Sequence, residues 1–226
     1  MKKEKMPTRN EAEEIFVWAK MQNSGGWAEH SEVVARVAET IAKNCDLEPE
    51  KAYILGLLHD IGRYEGYEVG LRHITEGFRY LKKKGFDTAA RVCLSHSFYT
   101  YLDPDDTFYL DQLKDEDDKK ILRDFAIKLR NGTAAFDEYD RLIQLADCMA
   151  RPYGAVTIND RFVDIMLRYD FPDLRAQIVG IWRVKKYFDE KLGFDVYDLF
   201  RDELAKNISK EPSGIMEEGK NEISIR

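Results

Sequence analysis

The stretch AYILGLLHDIGRY, residues 52–64, is apolar for its first seven positions and turns polar at His59-Asp60. A segment apolar nearly all round, with Pro49 close to its start, predicts a buried central helix. Gly56 inside it costs roughly 1 kcal/mol of helix propensity. A close helix–helix approach at that point would offset the cost. Working outward, helical spacing recurs on both sides of this segment and convincing alternating strands do not. Residues 10–21 read as a first helix with Asn10 as N-cap. From residue 28 to 43, Val34, Val37, Ala38 and Ile41 follow the i, i+3, i+4, i+7 template. Further helices are expected at 73–84, from Asp87 or Thr88 to His96, and at 119–130, 138–150, 159–169, 173–190 and 195–205. Gly25-Gly26, Gly85 and Asn131-Gly132 punctuate them. Residues 98–118 mix aromatics with an acidic run, Asp111 to Asp118, and read as a long loop with the acids solvated. The sequence is therefore that of an all-α, single-domain helical bundle over residues 1–205, followed by a flexible tail at 206–226.

The chain of 226 residues is long enough to bury a core without disulfides. Its formal net charge of −7 disfavours a long nucleic acid, but a few arginines in one pocket would suffice for a small phosphorylated ligand. Cys45, Cys93 and Cys148 show no paired spacing, which fits buried thiols in a reducing compartment. The N-terminus is basic, then acidic, with no apolar stretch behind it. It reads as lacking a signal peptide, and no run is long enough to span a bilayer, so a cytoplasmic protein without membrane contact is expected.

The four histidines carry the strongest chemical signal. Ala52, Leu55 and Gly56 lead along one helical face to His59; Ala89, Val92 and Cys93 lead to His96; His30 lies one turn before Val34. Three imidazoles thus fall on faces that should turn inward. Asp147 shares a face with Ile143, Ala146 and Ala150. An unpaired carboxylate there would cost several kcal/mol, so it calls for an arginine or a metal ion. Any one histidine alone reads more readily as a satisfied core or surface residue. The set together, with Asp60 beside His59, is explained most economically by convergence on one metal centre, since imidazoles and carboxylates are the usual ligands of divalent transition metals. Neighbours on a helix point about 100° apart. His59 and Asp60 therefore cannot both face one ion unless the helix packs close to it or the carboxylate reaches sideways.

The order H…HD…H…H…D, with HDIGR at residues 59–63, resembles the HD-domain superfamily of metal-dependent phosphohydrolases over about residues 25–155. The resemblance implies that His30, His59, Asp60 and Asp147 bind one divalent ion, and that His73 and His96 hold a second with Asp60 as bridge. Iron, manganese, nickel, zinc and magnesium all remain open as the one or two ions. Arg63 stands where the family often has Lys, and could point a bidentate cation at a phosphate or pair with a nearby carboxylate. The interval from Asp60 to His73 is short for two-metal members, and Ser97 stands where some relatives carry a second His. No GYP-like signature follows, which argues against a cyclic-di-GMP phosphodiesterase. Bacterial dinucleoside-tetraphosphate hydrolases of the HD type share the six-ligand pattern and a similar length.

The implied activity is hydrolysis of a phosphoester or phosphoanhydride in a small molecule, with nucleotides as the expected substrates. Asp60 would orient the attacking water and Arg63 would stabilise charge on phosphate oxygens. Two rivals use the same six ligands: a di-iron oxygenase of the HD fold, and a non-enzymatic HD module that binds a ligand. Oligomeric state is not fixed by the sequence, with a homodimer left open. Among softer positions, Arg72, Arg91 and Arg151 read as surface arginines, Arg151 being the best placed to approach a phosphate. Gln144 could bond a ligand or orient Asp147. The aromatics of residues 98–109 read as packing groups, with a lid or base-stacking role as the alternative.

Overall fold

The computed structural model describes residues 5–66, 70–99, 110, 111, 113–168 and 174–211. The chain begins with α1 (Arg9–Gln22), α2 (Gly26–Lys43) and α3 (Pro49–Leu58), which runs into a 3-10 turn, η1 (Ile61–Glu65). Then come α4 (Arg72–Lys83), α5 (Asp87–Ser95), α6 (Glu116–Arg130) and α7 (Glu138–Cys148). After a two-residue-per-strand hairpin, β1 (Ala150–Arg151) and β2 (Gly154–Ala155), follow α8 (Ile158–Arg168), α9 (Arg175–Leu192), a 3-10 turn (Val196–Phe200) and α10 (Arg201–Asn207). The fold is all-α apart from that hairpin, which the absence of alternating residues did not announce. Among the described residues, no helix is long and apolar enough to cross a membrane.

The expected central helix is where the sequence places it. Every residue of α3 from Ile54 to Leu58 is buried. Around it pack α2, the first helix α1, α5 and α7. The principal core joins Ile15 and Phe16 of α1 to Val34, Val37 and Ile41 of α2, Leu55 of α3, Val92 of α5 and Ile143 of α7. A second, smaller core gathers Ile74, Leu94, Phe98, Leu110, Leu113, Leu122 and Phe125 between α4, α5 and α6.

Helix ends differ from expectation in instructive ways. The N-cap of α1 is Thr8, not Asn10: the Thr8 hydroxyl accepts from Glu11 N–H, and the Glu11 carboxylate accepts from Thr8 N–H at 2.8 Å. This reciprocal T-x-x-E arrangement satisfies two otherwise orphan donors. The acidic run expected to be a solvated loop instead starts a helix. Asp115 caps α6, and Glu116, Asp117 and Asp118 fill its first turn, where negative charge complements the helix dipole. Asp118 is buried and paired with Arg79. Residues 100–109 and 112 of the expected loop, and 212–226 of the expected tail, lie outside the described residues. At the start of that tail, α10 continues to Asn207, whose Nδ2 donates to the Ala155 carbonyl at 2.7 Å.

The most consequential difference lies at the doublet. The helix does not run on through residue 64; α3 stops at Leu58, and Asp60, at φ −103° and ψ 14°, is already non-helical. Gly62 explains why the chain can turn there. A Cβ at that position would sit 2.1 Å from the His73 carbonyl oxygen, so only glycine lets η1 lie against the start of α4. Gly56 plays the corresponding part between α3 and α2: a Cβ would meet Ala35 Cα at 2.8 Å and Ala35 N at 2.9 Å. Both obstructing atoms are backbone, so relief requires α2 to shift. Gly56→Ala should therefore destabilise the protein by about 1–3 kcal/mol through overpacking, although alanine is favoured by about 1 kcal/mol within a helix. Urea unfolding would report this as a lowered midpoint at unchanged slope; a raised midpoint would contradict the close-approach account.

Candidate metal centre

Four elements and one helix break deliver the polar residues to the middle of this apolar bundle. His30 comes from the first turns of α2, His59 and Asp60 from the end of α3, and His73 from the start of α4. His96 caps the C-terminus of α5, and Asp147 stands one residue before the end of α7. All six are buried, none more than 8 % exposed. Their imidazole rings form a continuous row: His30 to His59 is 5.5 Å between centroids, His59 to His96 is 4.9 Å, and His96 to His73 is 5.6 Å. The six residues singled out from the sequence thus come together, including His73, whose position at a helix start gave no apolar face to follow. The η1–α4 contact at Gly62 is what turns His73 inward.

The orientation of the rings is set by the backbone. His59 Nδ1 lies 2.7 Å from the Gly56 carbonyl, His73 Nδ1 2.9 Å from the Gly70 carbonyl, and His96 Nδ1 3.3 Å from the Val92 carbonyl. A carbonyl oxygen can only accept, so Nδ1 carries the proton in each ring, and a neutral ring then presents a bare Nε2 lone pair. Those Nε2 atoms face the two carboxylates. His73 Nε2 is 3.1 Å and His96 Nε2 3.5 Å from Asp60 Oδ1, while His59 Nε2 is 4.0 Å from Asp60 Oδ2. His30 Nε2 is 2.9 Å from Asp147 Oδ1. Donor atoms of His30, His59 and Asp147, and again those of His59, Asp60 and His96, lie within 4.8 Å of one another, so two groups share His59.

Burial settles the charge states. It pushes His30, His59 and His73 below the usual imidazole value, His59 down to about 3. The nearby guanidiniums, Arg161 for His30 and Arg63 for His73, act in the same direction. For Asp60, burial alone would raise the pKa; the Arg63 guanidinium leads the groups that overcome it and hold the carboxyl well below its usual range. At Asp147, burial is likewise overcome by the His30 hydrogen bond and by Arg161. Neutral imidazoles beside ionised carboxylates are the protonation state that divalent metal ions require of their ligands. The His59 Nε2 atom is buried with no hydrogen-bond partner among the described residues. A buried acceptor left unpaired costs about 1–3 kcal/mol, and a cation in the centre would relieve it. By donor chemistry and by this orphaned atom, the residues fit a metal ion.

Two guanidiniums flank the centre. Arg63 Nε donates to Asp60 Oδ2 at 2.6 Å, so the pairing considered for Arg63 is made with the doublet itself. Arg161 Nη2 donates to Asp147 Oδ1 at 3.2 Å. The sequence called for an arginine or a metal beside Asp147 without naming the arginine, and offered Arg151 as the arginine best placed to approach a phosphate. That residue is not on the surface; it is buried and paired with Asp164 at 2.9 Å. Arg161 was missed because it lies fourteen residues from its partner, on a separate helix, so no local spacing links the two. Arg72 pairs with Glu65, and Arg91 with Asp137 and Asp140. Gln144 does not approach the centre's carboxylates: its Nε2 donates to the Ser95 and Phe98 carbonyls, both at 2.8 Å. It fastens the chain on either side of His96 to α7. Of the expected aromatic group, Phe98 is core and Tyr99 packs edge-on to Phe162 at 6.3 Å; Tyr101, Phe108 and Tyr109 lie outside the described residues.

A family model described as HD domain matches residues 27–151, more than half of the chain, and contains all six of these positions. No curated protein and no solved structure matches.

The His59 shift has a measurable consequence for the metal-free protein. In the unfolded chain its imidazole takes up a proton near pH 6.5, whereas in the fold it stays neutral to about 3. The unfolded state therefore binds more protons in that interval, and stability falls as pH drops through it, by about 1.4 kcal/mol per pKa unit of difference. Urea midpoints measured with a chelator present should fall between pH 7 and pH 4.5. A flat profile over that range would contradict the buried, neutral His59.

Proposed function

The chain belongs to the HD-domain family, and we propose that it is a metal-dependent hydrolase of phosphoester or phosphoanhydride bonds in a small phosphorylated molecule, a nucleotide being the favoured class. The observation that carries this reading is the convergence of imidazole Nε2 atoms on two ionised carboxylates, each of which is tied to a guanidinium. The imidazoles and carboxylates suit a divalent cation; the guanidiniums suit an anion beside it.

The residues that would hold one or two divalent ions are His30, His59, Asp60, His73, His96 and Asp147. A metal ion bound by such ligands lowers the pKa of a water molecule and polarises a phosphoryl oxygen. The remaining work belongs to the chain. Asp60, held ionised by Arg63, orients the attacking water through its carboxylate. Arg63, anchored through Nε, keeps a positive charge in place as negative charge grows on the phosphate oxygens. The tethers from Nδ1 to backbone carbonyls keep the rings from turning during the reaction. The apolar walls contributed by α2, α3 and α7 exclude bulk water and strengthen each of these interactions. The overall charge of −7 and the burial of the centre favour a small substrate over a long nucleic acid.

Metal analysis of protein purified without added metal, combined with a screen of phosphorylated metabolites, tests the reading. Replacing Asp60 by Ala should remove bound metal and lower turnover at least about a hundredfold. Turnover that survives this change would exclude the mechanism. A product formed only in air, with iron bound, would assign the same ligands to oxygen chemistry instead.

A further inference from the structure

On the Asp147 side of the centre a guanidinium works below its capacity. Arg161 projects from α8, beyond residue 151 where the family match ends. Its Nη2 reaches Asp147 Oδ1 at 3.2 Å, its Nη1 reaches Asp164 Oδ2 at 3.5 Å, and its Nε is buried with no hydrogen-bond partner among the described residues. A guanidinium carries five N–H donors in a planar fork. Two long contacts use a minority of them. The Arg63–Asp60 pair in the same centre, at 2.6 Å, shows what a closely engaged ion pair looks like here.

Holding Asp147 ionised engages only part of this guanidinium. Asp147 already has His30 Nε2 at 2.9 Å, and a divalent ion would neutralise it further. A permanent cation against a ligand carboxylate then repels that ion. A negatively charged ligand that meets both positive groups would offset that repulsion. Asp164, itself buried and shared with Arg151 at 2.9 Å and Arg168 at 2.7 Å, sits one turn along α8 from Arg161 and steadies the guanidinium. The Arg161 side chain as a whole keeps 13 % exposure, although its Nε is buried.

We propose that Arg161 is a substrate-binding residue that receives a phosphate group on the Asp147 side of the centre. The inference rests on the phosphohydrolase reading above and adds to it a residue from outside the matched family stretch. Asp164 is its positioning residue.

Inorganic phosphate is the probe, titrated calorimetrically into metal-loaded wild type, Arg161→Gln and Arg161→Lys, with metal content measured on each sample. Arg161→Lys, which keeps the charge that holds Asp147 ionised, should keep wild-type metal content, and phosphate affinity is read in both variants on metal-loaded protein. Phosphate affinity should fall at least about tenfold in Arg161→Gln and by a smaller factor in Arg161→Lys, which keeps the charge but not the fork. Guanidinium ion at millimolar concentration should partly restore phosphate binding to Arg161→Gln. Wild-type phosphate affinity in Arg161→Gln would overturn the proposal. So would joint loss of metal and phosphate in that variant with full recovery of both in Arg161→Lys, since Arg161 would then serve Asp147 alone. If Arg161→Gln does not fold, unchanged affinity in Arg161→Lys overturns it. A metal-loaded wild type that binds no phosphate would instead contradict the phosphohydrolase reading, so the two failures are distinguishable.

Discussion

The hydrogen bond from imidazole Nδ1 to a backbone carbonyl three or four residues earlier is the interaction on which the rest of the molecule depends. Made at His59, His73 and His96, it fixes tautomer and ring direction together. Without it a buried histidine could satisfy itself by turning toward a neighbouring carboxylate. With it, one nitrogen is occupied, and at His59 the other is left in the core with no hydrogen-bond partner among the described residues. That is costly in an apolar bundle, at about 1–3 kcal/mol for each unpaired buried group. The surrounding structure makes sense as a means of holding such a centre. Apolar residues on α2, α3, α5 and α7 surround it, and two arginines keep its carboxylates ionised despite burial.

The break after Leu58 converts this local interaction into a centre. In an unbroken helix, His59 and Asp60 would diverge by about 100°. Ending α3 at Leu58 frees Asp60 to swing its Oδ1 toward His73 and His96 while its Oδ2 meets Arg63. Gly62 makes this possible by letting the following 3-10 turn lie against the His73 carbonyl. Ser95 and Gln144 perform a related service at the other end, joining the segment around His96 to α7, which bears Asp147: Ser95 Oγ donates to Asp140 at 2.6 Å, and Gln144 bridges two carbonyls. Residues two shells removed from the centre thus determine its dimensions.

What was legible in the sequence follows from the range of the forces involved. Helical periodicity acts over a turn or two, so the helices, the buried character of residues 54–58, and the inward faces of His30, His59, His96 and Asp147 could be read from spacing alone. Gly56 also announced its close approach, because a glycine inside an apolar helix asks for a reason. His73 could be assigned only by family resemblance, because its inward direction comes from a contact between η1 and α4 and not from its own helix. The Arg161–Asp147 pairing and the burial of Arg151 depend on how α8 docks, which no local pattern encodes. The acidic run at 115–118 was misread because composition favours solvation, whereas a capping aspartate and the helix dipole favoured a helix start.

The central claim is that the four imidazoles and two carboxylates surround a metal ion. X-ray absorption spectroscopy of the metal bound to protein purified without added metal tests it most directly. A first shell of nitrogen and oxygen near 2.0–2.2 Å, with outer-shell scattering from two or more imidazole rings per ion, is the predicted result. A shell of oxygen alone, without imidazole scattering and unaltered when His59 is replaced, would contradict the account.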